Sequence, residues 1–166
     1  MRKKITKSLG TAMVAGSLAL VGAATVGVAP ANAAEQCNTN ARSLDLPGKP
    51  DITLNITLCV SGSGSYRQAM AYFSWSGHYG YIGGTRLNSM WLQIRLERYD
   101  VVQASDSSYY TSSVDAQYSG SVSIGAQKTG SLAAGGWSAD ATVGYDITDD
   151  GLGSTTWQLT GSPLIS

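Results

Sequence analysis

Alternation between apolar and polar residues is the feature that most limits the folds open to this chain. It is clearest from residue 51 to 60, where the apolar set is Ile52, Leu54, Ile56, Leu58 and Val60. The same two-residue period, typical of a half-buried β-strand, recurs over 66–75, 90–96 and 137–147. After residue 33, no window of ten or more residues has the 3.6-residue apolar period of a helix. The sequence therefore predicts an all-β fold, a small antiparallel β-sandwich of six to seven strands.

The first 33 residues have the organisation of an export signal. A basic stretch from Met1 to Lys7 precedes a run made almost entirely of Ala, Val, Leu, Gly and Ser, and small residues flank the expected cleavage point after Ala33. The run is long enough for a short membrane span, which is the alternative to cleavage. We expect 1–33 to be a signal peptide and the protein to be secreted and extracellular. Residues 34–49 are polar and are expected to form an extended N-terminal arm, with the β-sandwich domain over 50–166.

The charge of the mature chain narrows the classes of partner. Cleavage would remove four basic residues and leave a net charge of about −4, without a cluster of Lys or Arg. Binding to nucleic acid, or to an anionic membrane after signal cleavage, is therefore not expected.

Cys37 and Cys59 are the only cysteines. An even pair without metal-type spacing, in an exported chain, predicts a disulfide. It would close a loop of about 22 residues and stabilise the fold by about 3 kcal/mol in the chain-entropy model.

Catalytic and metal-binding motifs do not emerge from the sequence, and no cofactor is expected. Asp146-x-Thr148-x-Asp150-Gly151 resembles the start of a calcium loop, but the twelfth position holds Trp157 in place of a carboxylate. His78 is the only histidine and has no nucleophile-elbow serine near it. We therefore predict that the chain is not an enzyme.

The segment from Trp75 to Gly84 is the candidate binding loop. It is rich in Tyr, Gly and Ser, the composition of adaptable contact surfaces in binding proteins. The predicted binding residues are Trp75, His78, Tyr79 and Tyr81. A plain hairpin whose tyrosines cover the end of the core is the alternative interpretation.

Several strings resemble the small secreted β proteins found in Streptomyces and relatives. They are 49–51, 58–60, 71–75, 95–100 and 143–153, together with Trp157 and 161–163. The chain is also similar to the small adaptor subunit of umbrella toxin particles, where a small β protein links lectin-like subunits to a large toxin polypeptide. That resemblance implies a docking role for the arm and other secreted proteins as partners.

The function expected from these observations is non-catalytic protein binding outside the cell, in the form of an adaptor in an antibacterial toxin assembly. Two other classes stay open. One is an inhibitor of extracellular hydrolases such as proteases, with a disulfide-held segment inserted into a cleft. The other is a carbohydrate-binding module that uses Trp75, Tyr79 and Tyr81 as stacking platforms for a glycan.

Overall fold

The computed structural model describes residues 33–77 and 84–166. The expected signal peptide therefore lies outside the described residues, except for the backbone of Ala33. Within these ranges the chain forms eight strands and one short helix. In chain order they are β1 (Ala33–Leu46), β2 (Lys49–Ser63), β3 (Tyr66–Ser76), β4 (Leu87–Arg98), β5 (Val101–Tyr109), α1 (Thr111–Ala116), β6 (Ser119–Thr129), β7 (Trp137–Ile147) and β8 (Thr155–Gln158). No helix of the described ranges is long and apolar enough to cross a membrane.

The strands form two antiparallel sheets of four strands each, which confirms the all-β sandwich fold. The first sheet has the order β1-β2-β3-β6 and the second the order β5-β4-β7-β8. The central strands β2 and β3 pack across β4 and β7. The described ranges contain eight strands where six to seven were predicted.

Alternating apolar side chains of both sheets fill the space between them. The inward residues of the central strands are almost completely buried, and they include Ile52, Leu54, Ile56, Leu58, Ala71, Phe73, Met90, Leu92, Ile94, Leu96, Ala141 and Val143. Each strand thus turns one face to the core and the other outward, as a period of two requires. The outward faces of the two sheets are the broad surfaces of the molecule.

The segment predicted to be an arm, 34–49, is extended but most of it belongs to the sandwich. Ala33–Leu46 is the edge strand β1 and pairs with β2, whose start at Lys49 overlaps the expected domain boundary. Its alternation is hidden in the sequence because three of its inward positions hold Asn38, Asn40 and Arg42. Only near the end of β1 are inward residues apolar and buried, at Leu44 and Leu46.

Polar side chains close the side of the sandwich where β1 meets the C-terminal segment. The Asn40 side chain donates from Nδ2 to the carbonyl of Thr160 at 2.9 Å and accepts from the Thr160 N–H at 2.8 Å. Asn38 donates to the same carbonyl at 3.0 Å. The Arg42 guanidinium lies 5.6 Å from the ring centres of both Tyr145 and Trp157. These contacts replace apolar packing on this edge.

The predicted disulfide between Cys37 and Cys59 is present. The two residues are directly opposite each other in the β1–β2 register, with Cα atoms 4.1 Å apart. The bridge therefore fastens the edge strand to its neighbour on the outer side of the first sheet.

The β4–β5 hairpin turns through two non-glycine residues with left-handed backbone. Tyr99 and Asp100 have φ of 48° and 61°, the combination of a two-residue turn that favours Gly and Asn. The cost is offset by tertiary contacts, since Tyr99 N–H donates to the Gly136 carbonyl at 2.9 Å. The Tyr99 ring also lies over Gly136, where a Cβ would come within 2.4 Å of it.

Candidate binding site

The residues predicted to bind a ligand do not form a surface site in the described part of the structure. Trp75 is inward on β3 and only 3% exposed. Its ring packs against Phe73 at 5.4 Å between centroids, and Nε1 donates to the Gln117 carbonyl at 3.2 Å. The prediction of Trp75 as an exposed platform is therefore wrong, because the strand period continues to residue 75 and turns its side chain into the core. His78, Tyr79 and Tyr81 lie outside the described residues.

An aromatic pair on the outer face of the second sheet is the strongest candidate in the described ranges. Trp91 of β4 is directly opposite Tyr109 of β5 and, on its other side, Gly144 of β7. Tyr109 is 76% exposed. The next outward pair along the same strands is Gln93 with Ser107. These four residues, Trp91, Gln93, Ser107 and Tyr109, line a cleft of about 240 Å³, called here the Trp91–Tyr109 cleft.

Gly144 determines how Trp91 is held. A Cβ placed on Gly144 would lie 2.1 Å from indole Cε2, 2.2 Å from Nε1 and 2.4 Å from Cζ2. Three ring atoms at nearly equal distance mean that the face of the indole covers the Gly144 backbone. Any larger residue at 144 would lift the ring from the sheet. The pair thus fixes one wall of the cleft before a ligand arrives.

The polar groups of the cleft are available to a ligand. Within residues 33–77 and 84–166, the indole N–H of Trp91, the amide of Gln93 and the hydroxyl of Tyr109 form no hydrogen bond with the protein. An aromatic wall and unused donors and acceptors can together bind a partner through packing and hydrogen bonds.

A connected set of charged and polar side chains continues the same face beyond Gln93. Arg95 donates from Nε to Glu97 at 2.8 Å and lies 3.2 Å from Asp140. It also donates to the Thr142 hydroxyl at 2.9 Å, and Thr142 bonds to Gln158 at 2.6 Å. We call these five residues the Arg95 ladder. Partial burial by itself lowers the pKa of Arg95, but the hydrogen bond to Glu97 and the charges of Asp140 and Glu97 outweigh it, so the pKa is raised.

The free edge beside the cleft is protected against strand addition at one position. The N–H of Ser107 donates to the carboxylate of Asp106 at 2.8 Å. A charged side chain that occupies an edge N–H discourages pairing with another strand. Binding at the cleft is therefore expected to use the side chains of the face rather than the backbone of β5.

The described residues contain one cluster of potential metal ligands, and its chemistry does not suit a metal. Glu35, Cys37 and Cys59 have ligand atoms within 4.8 Å of one another. The two sulfurs are joined to each other, so neither can act as a thiolate ligand. At the calcium-like stretch, Asp150 accepts the Leu152 N–H at 2.8 Å in the β7–β8 connection, as a turn residue does.

The sequence carried one signal for this site. Trp91 interrupts the polar side of β4 between the buried residues Met90 and Leu92, so a large aromatic residue faces outward. Its pairing with Tyr109 and Gly144 depends on the register of three strands, which the sequence does not specify.

Comparison of the chain with protein-family models, with curated proteins and with solved structures found no match.

Proposed function

We propose that this chain is a secreted, non-catalytic protein-binding module, and that its partner docks on the Trp91–Tyr109 cleft. The observation that carries the proposal is the pairing of one exposed ring with one packed ring. Tyr109 is 76% exposed, and the neighbouring Trp91 indole is packed on the backbone of Gly144. An aromatic side chain of this exposure, held at the rim of a polar cleft, gains contact area when a partner covers it.

The composition of the cleft fits protein recognition. Tyr and Trp are enriched among the residues that dominate protein–protein binding energies, and Ser and Gln add adaptable hydrogen bonds. Because the Trp91 ring already rests on the sheet, little conformational entropy is lost when the partner binds.

The Arg95 ladder supports a protein partner over a neutral ligand. It places both signs of charge next to the cleft, with the Asp140 side chain 31% exposed and that of Arg95 19% exposed. Paired charges at the rim of an interface orient a charged partner and select against wrong ones. Both the aromatic cleft and the ladder belong to one face, so one protein surface can contact both.

Exposed apolar side chains at the other end of β5 support the more specific role of an adaptor. Tyr99, Val101 and Val102 are 60%, 60% and 49% exposed at the opposite end of β5 from Tyr109. The nine residues of β5 span about 26 Å at about 3.3 Å per residue. Exposed aromatic and apolar side chains that far apart can contact two different proteins, which is what an adaptor in a toxin assembly must do.

The test is capture of partners from the native culture supernatant by the tagged mature protein, with size-exclusion chromatography and mass spectrometry. Wild type is expected to co-elute with at least one larger secreted polypeptide. Tyr109→Ser should weaken the binding of that polypeptide by about tenfold or more, as expected for an aromatic residue at the centre of an interface.

Tyr72→Ser is the matched control, because Tyr72 is 48% exposed on the opposite sheet. It should retain the partner. A lone monomer peak for wild type, or a complex that survives Tyr109→Ser unchanged, contradicts the proposal.

A further inference from the structure

The outer face of the first sheet differs chemically from the face that carries the Trp91–Tyr109 cleft. From Thr53 to Thr57, the outward positions of β2 and their register partners on β1, β3 and β6 hold no Asp, Glu, Lys or Arg. They are mostly Ser, Thr, Asn and Tyr. Glu35 lies beyond them, next to the Cys37–Cys59 bridge. A protein surface of this extent normally mixes charges of both signs.

A shallow depression of about 350 Å³ lies at the middle of this face. Its outward lining is Asn55, Thr57, Tyr72, Ser74, Ser121 and Ser123, from the three strands β2, β3 and β6. The register brings Tyr72 between Thr57 and Ser123. Tyr72 is 48% exposed and supplies the only aromatic side chain of the depression's outward lining.

Most hydrogen-bonding side chains of the depression have no partner among the residues that the structure describes. Thr57 bonds to Thr39 at 2.8 Å, and Ser74 makes a long contact of 3.5 Å with the Asn55 carbonyl. Within the described ranges, the side chains of Asn55, Tyr72, Ser121 and Ser123 make no such bond. The depression thus presents an amide and several hydroxyls around an exposed ring.

We propose that this depression is a second binding site and that its ligand is a neutral carbohydrate. A sugar ring presents hydroxyls on its rim and C–H groups on its faces, so it can stack on Tyr72 while the surrounding amide and hydroxyl groups bond to its rim. The lining of the depression has no charged side chain, so it neither repels nor requires a charged ligand, and it matches an uncharged polysaccharide.

The site is independent of the proposed protein-binding cleft. The two are on opposite sheets, and no residue is shared between them. A single domain could therefore hold a protein on one face and a glycan on the other.

The test is an NMR titration of the ¹⁵N-labelled mature protein with three neutral oligosaccharides: cellohexaose, N-acetylchitohexaose and mannohexaose. Oligogalacturonate is the anionic comparison. At least one neutral probe should shift amide signals of Asn55, Tyr72 and Ser123. Tyr72→Ala should weaken that binding by about tenfold or more. Asn55→Asp should weaken it too, because it places a charge at the edge of the depression. Tyr109→Ala should bind the probe as well as wild type.

Three results would overturn the proposal: no shift with any neutral probe at millimolar concentration, shifts that centre on Trp91 and Tyr109, or tighter binding of the anionic oligosaccharide. Thermal unfolding of each variant shows whether it is folded. Loss of the protein partner through Tyr109→Ser, in the separate capture experiment, has no bearing on these outcomes.

Discussion

Trp91 and Gly144 face each other on the neighbouring strands β4 and β7, and the indole of the first covers the backbone of the second. The same arrangement occurs inside the sandwich, where Trp75 lies over Gly120 of β6. In both pairs the glycine leaves room for a flat ring against the sheet. One pair fills the core and the other forms a wall of the surface cleft.

Gly144→Ala is expected to lift the Trp91 indole from the sheet. The new Cβ would meet three ring atoms at 2.1 to 2.4 Å, and overpacking of this kind costs about 1–3 kcal/mol. Urea unfolding gives the loss, and Trp fluorescence reports the displaced ring. In a Trp91→Ala background the same substitution should cost much less, since the clash is gone. Equal costs in both backgrounds would mean that the two residues do not interact.

Asn40 is expected to tie the C-terminal segment to β1. Asn40→Ala removes two hydrogen bonds to Thr160, each contributing about 0.5–1.5 kcal/mol. Asn38→Ala removes one and is the matched control. Hydrogen exchange should accelerate at Leu159 and Thr160 more in the first variant than in the second. Unchanged exchange at these amides in Asn40→Ala would disprove the role.

The Cys37–Cys59 bridge is expected to stabilise the fold through the unfolded state. It joins residues 22 apart, and a loop of that length corresponds to about 3 kcal/mol in the chain-entropy model. The double variant Cys37→Ala/Cys59→Ala should lose that amount in urea unfolding. Reduction of wild type should give the same loss, while the double variant should not respond to reductant. A reductant effect on the double variant would show that the loss has another cause.

Arg95 is expected to matter more for stability than a surface ion pair. Arg95→Met leaves the Glu97 side chain, which is 9% exposed, without its cation, and an unsatisfied buried polar group costs about 1–3 kcal/mol. Asp149→Asn is the control, because it removes only the ion pair of Lys49 with Asp149 at 3.8 Å, at a side chain that is 77% exposed, and such pairs contribute about 0–1 kcal/mol. It leaves the hydrogen bond of Lys49 to the Thr85 carbonyl in place. Equal losses in the two variants would contradict the ladder's role.

The sequence predicted the strands whose inward residues are all apolar. β2 and β4 alternate cleanly because one side of each is core and the other is solvent. The disulfide was also predictable, since a chain with two cysteines has one possible internal bridge. These features depend on local pattern alone.

The remaining features depend on contacts between distant residues. The sequence did not predict β1 as a strand of the sandwich, because its inward residues Asn38, Asn40 and Arg42 are polar. Their contacts are with Thr160 and Tyr145, more than a hundred residues away along the chain. Residues 111–116 form α1, with Val114 buried, although no window of ten or more residues after residue 33 has a helical period. The cleft was missed because Trp91 and Tyr109 are 18 residues apart and meet only through the β4–β5 register.

The most direct test of the protein-binding proposal is hydrogen exchange of residues 34–166, free and in complex with the polypeptide that co-elutes in the capture experiment. We expect slower exchange in the complex at Trp91, Gln93, Ser107 and Tyr109, with little change at Thr57 and Tyr72. Protection confined to the first sheet, or no protection on either face, would contradict the assignment of the Trp91–Tyr109 cleft as the docking site.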